Sequence, residues 1–139
     1  MKPTETLIGH LESNIFPFSV VVAIGDFNGK AVFEKLNALY RGSSPVTLDE
    51  CVEKEREINN HSSAYGHHWC ISPVTSVLWI CNPSEVDGIA HETFHAVYWL
   101  LSNQGIQLTP ETNEVYAYMM GWIVKGIRDG VMEYWKNNP

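Results

Sequence analysis

Residues 84–104 read SEVDGIAHETFHAVYWLLSNQ. Ser84 and Asp87 stand three apart, the spacing of a capping box, and Gly105 is a natural stop. The segment therefore predicts one long helix. Ile89, Ala90, Phe94, Ala96, Val97, Tyr98, Trp99, Leu100 and Leu101 make it apolar nearly all round, which predicts a mostly buried helix. His91-Glu92-Thr93-Phe94-His95 lies inside it and matches H-E-x-x-H. Residues four apart share a helix face one turn apart, so two imidazoles can meet one metal ion. Glu92 sits about 100° round the helix, where it can reach a water held by that ion without ligating the metal itself. Imidazoles and a carboxylate in an apolar helix are costly unless an ion or partners compensate. The chemistry this predicts is zinc-assisted hydrolysis, with His91 and His95 as ligands and Glu92 as general base.

A zinc site that keeps one place open for water needs a third protein ligand. Downstream, Thr109-Pro110 reads as the start of a second helix, with Thr as cap and Pro in the first turn, running towards Asp129. Val131 to Trp135 suggests a further turn. Glu114 lies on that helix, 19 residues past His95, and a chain that turns back can bring it to the pair. Glu111 is the rival; its place in the first turn also suits the helix dipole without any function. His61, His67 and His68 are further alternatives. Gly121, seven residues after Glu114, falls on the same face and would permit close approach of the two helices.

Upstream, His67–Ile71 and Val77–Cys81 are short apolar runs around Ser72–Ser76, which predicts a β-hairpin at or near a sheet edge, since Pro73 cannot donate to a ladder. Thr47 and Glu50 have capping-box spacing and open an amphipathic helix through Leu48, Val52 and Ile58. The run Glu53–Glu57 is its solvated face. Asn28 caps a helix from about Lys30 to Arg41, with Gly42 as its stop. Ser19–Ile24 reads as a buried strand. Leu7, Ile8, Leu11 and Ile15 suggest a short first helix.

These elements suit 139 residues, 45% hydrophobic and 18% charged, folding as one domain over positions 1–139. The net charge of −7 leaves no basic surplus for phosphate backbones, so nucleic acid is not an expected partner. No apolar run has the length of a membrane span, and the residues before Ile15 lack a signal peptide's positive n-region. The three cysteines, Cys51, Cys70 and Cys81, are not a secreted disulfide framework. They read as reduced thiols in a cytoplasmic compartment, with a single Cys70–Cys81 bridge left open.

His91-Glu92-x-x-His95 followed by Asn113-Glu114-x-x-Ala117-Tyr118 resembles the gluzincin zinc metallopeptidases, and also the small metallopeptidase-like proteins of phage and prophage genomes. The resemblance spans about Asn82 to Arg128. It implies a minimal zincin-like domain of α+β class, a small mixed or antiparallel sheet packed on helices. It also implies a peptide or protein substrate, and an upper strand pairing with substrate backbone, a part that Val77–Cys81 would take. The family's oxyanion-stabilising His or Tyr would be Tyr118, with Tyr116 and His68 as alternatives. One departure is that Tyr118 stands where thermolysin-like members carry an aspartate supporting a histidine. The competing expectation is a zincin scaffold that binds metal or a protein partner without turnover.

Overall fold

The computed structural model describes residues 7–13, 16–60 and 66–137. Its elements are β1 (Leu7–Glu12), β2 (Ser19–Ile24), α1 (Gly29–Leu39), α2 (Leu48–Asn59), β3 (Gly66–Ser72), β4 (Thr75–Ile80), α3 (Val86–Asn103) and α4 (Asn113–Asn137). The strands form one mixed sheet in the order β1-β2-β4-β3. β1 pairs antiparallel with β2, β2 parallel with β4, and β3 antiparallel with β4. The class is α+β, as the patterning predicts.

β2 and β4 occupy the sheet centre because neither strand has a polar face. Val20, Val22 and Ile24, with Leu78 and Ile80, pack against α3 and α4. Val21 and Ala23, with Val77 and Trp79, pack against α1 and α2. Successive side chains alternate faces, so these two strands supply two cores and bind both helical layers to one sheet. A run buried on both faces is the mark of a central strand, and β4, paired on both sides by β2 and β3, is therefore not the edge strand expected to pair with substrate. Pro73 sits in the tight turn between β3 and β4, where no ladder donor is required. The edge falls to β3.

The first predicted helix is also corrected. Leu7–Glu12 is a strand, held by six register pairs to β2; Ile15 lies outside the described residues. The caps of α1 and α2 form as read. Asn28 Oδ1 accepts from Ala31 N at 3.0 Å, and Thr47 and Glu50 close a reciprocal capping box. The expected Ser84 cap of α3 does not form. Ser84 N instead donates to Asn82 Oδ1 at 3.0 Å, and the N-cap residue is Glu85, without a side-chain cap bond. The other end closes as a Schellman motif: Ile106 N donates to Leu101 O and Gly105 N to Ser102 O, each at 3.0 Å, with Gly105 at φ 77°.

No disulfide joins Cys51, Cys70 or Cys81. Cys70 pairs with Ser76 in the hairpin, which leaves Cys81 about 17 Å further along the ladder at ~3.3 Å per residue, beyond the reach of a bridge. Among the described residues no helix is long and apolar enough to cross a membrane.

Candidate metal centre

α3 crosses the face of β3. Glu92 lies over Gly66, the rings of His95 and His68 stack with centroids 6.5 Å apart, and Trp99 Nε1 donates to Ser72 O at 3.0 Å. Strand alternation sends Trp69 and Ile71 into the α1/α2 core and leaves His68 and Cys70 facing α3. A cleft between helix and edge strand results. One cavity of about 280 Å³ is lined by His67, His68, Glu92 and His95. A second, of about 420 Å³, is lined by His68, Cys70, His95, Tyr98, Trp99, Ser102 and Asn103. Since His68 and His95 border both, the cavities are neighbours in one groove.

At its rim the Nε2 atoms of His91 and His95 stand 3.1 Å apart, with ring centroids at 4.7 Å. Two imidazole nitrogens on one tetrahedral zinc, each at ~2.05 Å, are separated by about 3.3 Å. The pair is thus set close to the bite a zinc ion requires. Glu92 Oε1 lies 4.0 Å from His91 Nε2, and the Glu92 side chain is only 13% exposed against 67% for His91. Burial raises the Glu92 carboxyl above its ordinary range, and the nearby His91 and His95 pull it part of the way back.

The helix is not buried all round, as its apolar composition suggests. His91, Phe94, His95 and Tyr98 form an exposed face, while Thr93, Ala96, Val97, Leu100 and Leu101 are buried. A two-layer contact covers one stripe of a helix, and α3 has the sheet and α4 on one side only. The desolvation expected for the motif therefore falls on Glu92 and spares the two histidines.

Glu114 is not brought to the pair. α4 starts at Asn113, three residues after Pro110, because Thr112 closes the preceding turn by accepting from Thr109 N at 2.9 Å. This puts Glu114 in the first turn of α4 and Glu111 ahead of the helix, both exposed. Tyr116, beside them, donates its hydroxyl to Ile106 O at 2.6 Å, which ties this end of α4 to the C-terminal end of α3. His91 and His95 lie in the N-terminal half. Among the described residues no group of three His, Cys, Asp or Glu side chains is placed to hold a metal ion together. His61 lies outside the described residues. Tyr118 is 61% exposed and lines neither cavity. A Cβ at Gly121 would meet open space, so that glycine is not the close-approach point expected; Gly121 faces solvent.

His68 is the residue the sequence reading undervalued. Its Nε2 contacts Ser76 Oγ at 2.9 Å, and its Nδ1 faces Cys70 Sγ at 3.9 Å. Burial, with lesser contributions from His95 and His67, lowers its pKa from 6.5 to about 4. It is a neutral imidazole on the wall opposite the pair. The available signal was the alternation Gly66-His68-Cys70 of small and polar residues on the face of β3 that meets the motif helix.

A stability prediction follows for His68. Above pH 6.5 the ring is neutral folded or unfolded, and stability does not depend on it. As pH falls from 6.5 towards 4 the unfolded chain takes up a proton that the folded ring refuses, so stability falls; below 4 both states are protonated and the loss levels off. For a partly open group the loss is about 1–2 kcal/mol after solvent screening. Urea unfolding at pH 7 and pH 4.5 measures it: wild type should lose that much more than His68→Gln, and an identical loss in both refutes it.

No protein-family model, curated protein or solved structure matches this chain, so its own geometry and chemistry carry the functional reading.

Proposed function

We propose that the protein is a zinc-dependent hydrolase that cleaves peptide bonds in the groove between α3 and β3. The supporting observation is the convergence of His91 and His95 Nε2 at 3.1 Å, with the half-buried carboxylate of Glu92 beside His91. The donor set fits zinc: borderline-soft imidazole nitrogens on consecutive turns of a helix anchored in the core. Glu114, exposed in the first turn of α4, is not assigned as a third ligand, and the site consists of His91 and His95. Zinc bound there would supply Lewis acidity towards a carbonyl and a lowered pKa for water.

The chain's own residues supply the rest. Glu92, held in an environment that raises its proton affinity, accepts a proton from the attacking water at a carboxylate oxygen and delivers it to the leaving amine nitrogen. The water oxygen bonds to the carbonyl carbon as the C–N bond breaks. His68, neutral and fixed by Ser76, presents an uncharged wall to the scissile group. The substrate class, peptide or protein, rests on the resemblance.

Protein purified without a chelating column is expected to carry one zinc per chain by elemental analysis. His91→Ala or His95→Ala should weaken zinc by more than the 10–100-fold that loss of a supporting partner costs. Metal-free wild-type protein that gains no zinc on titration would overturn the reading. The lack of a preassembled three-ligand group among the described residues favours one second reading, a metal-binding or interaction module without turnover, which would bind zinc and hydrolyse nothing.

A further inference from the structure

We propose that Gly66 is a positioning residue for Glu92, which rests on reading Glu92 as the base. Gly66 opens β3 and pairs with Ile80, directly beneath the motif helix. A Cβ built on Gly66 would lie 2.9 Å from Glu92 Cγ and 3.7 Å from Glu92 Cδ, and 2.8 Å from the carbonyl oxygen of Trp79. Real Cβ contacts do not come this close, so the Glu92 stem occupies the space that any side chain at position 66 would claim. Cγ is the second carbon of that stem, close to the helix. It cannot yield by swinging its far end; it yields by turning about χ1, and the carboxylate would go with it.

The bare backbone of Gly66 therefore does two things. It lets the Glu92 methylenes lie flat on the start of the edge strand, and it directs the carboxylate to within 4.0 Å of His91 Nε2. The helix alone does not dictate this direction, because a glutamate on an open helix face samples several rotamers. The strand selects one of them. Neither imidazole is among the three atoms nearest a Cβ at Gly66, so its contribution is to the aim of the base and not to the ion.

The test uses full-length chains carrying Gly66→Ala, Glu92→Ala, and both. Gly66→Ala should lower kcat by about 10²-fold, the cost of misplacing a reacting group by about 1 Å, with KM and zinc affinity unchanged. Its thermal midpoint in EDTA should fall by several degrees. In the Glu92→Ala background the same substitution should cost a smaller shift, because the Cγ it strikes is gone and only the Trp79 carbonyl contact remains. Should Gly66→Ala fail to fold, recovery of folding in the double variant supports the proposal. Equal midpoint losses in the two backgrounds, wild-type kcat in Gly66→Ala, or a double variant that also fails to fold would each overturn it. Absence of zinc binding or hydrolysis in the wild type would instead overturn the proposed function and leave the stability coupling intact.

Discussion

Glu92→Gln is expected to lower kcat by about 10³-fold with one zinc per chain retained, a loss of ~4 kcal/mol of transition-state stabilisation. Gln has the same stem and nearly the same shape, so it keeps the packing over Gly66 and the place beside His91. What it lacks is a lone pair basic enough to take a proton from water. The binding terms are untouched, so KM should stay within a few-fold, and the whole loss should appear in kcat. Steady-state kinetics on a quenched fluorescent peptide, with metal content measured on the same sample, separates the outcomes. Retained turnover means that Glu92 is not the base. Lost zinc means that Glu92 is itself a ligand. A wild type that binds zinc and cleaves nothing, indistinguishable from the variant, selects the binding-module reading.

The second large effect concerns folding and does not depend on any functional assignment. Gly29→Ala is expected to destabilise the chain by about 3 kcal/mol, at the upper end of the overpacking range. Gly29 begins α1, and a Cβ there would press on the carbonyl of Cys51 in α2, with Cys51 C at 2.7 Å and Val52 N at 3.0 Å. These are backbone atoms inside a hydrogen-bonded helix, so no rotamer change relieves the clash. The helices would have to separate, and separation would strain the 2.7 Å bond from Gly29 N to Glu55 Oε1 and open the packing around Cys51, Val32 and Leu36. Gly121→Ala is the control. It sits in an exposed stretch of α4 where a Cβ meets nothing, so it should stabilise by about 0.5–1 kcal/mol through helix propensity alone. Urea unfolding of both variants decides the matter; equal effects would mean that the α1–α2 contact is not as close as described.

The distance between these two glycines measures how far sequence reading reaches. Gly29 reads as a turn glycine ahead of a helix from about Lys30, and it is Gly121 whose spacing suggests close packing. Which glycine faces another backbone depends on how helices stack, and stacking is set by contacts between residues far apart in the chain. Gly66 is the same case, since nothing near it in sequence announces Glu92, 26 residues on. Local signals fared better. Asn28, the Thr47–Glu50 pair and Gly105 act through bonds to residues within a turn or so, and all three stand where the pattern put them. The failures have two causes, one tertiary and one local. Leu7–Glu12 was read as a helix, yet pairing with β2 makes it a strand; a short apolar segment takes the conformation its tertiary neighbours offer. The start of α4 slipped past Thr109-Pro110 because Thr112 spends its hydroxyl on Thr109 N, and that slip carried Glu114 into the first turn, away from the histidines.

The sequence by itself determined the H-E-x-x-H pair, because a spacing of four and a helical pitch leave two imidazoles nowhere else to go but side by side. It determined as well the α+β class, through the periodicities of its strands and helices. Tertiary structure alone decided which strand is the edge, that His68 forms the wall facing the pair, that Glu92 is half-buried while His91 and His95 open to solvent, and that no third ligand is preassembled among the described residues. Those outcomes turn on which faces meet across the sheet, a property of packing between distant segments that no local spacing encodes.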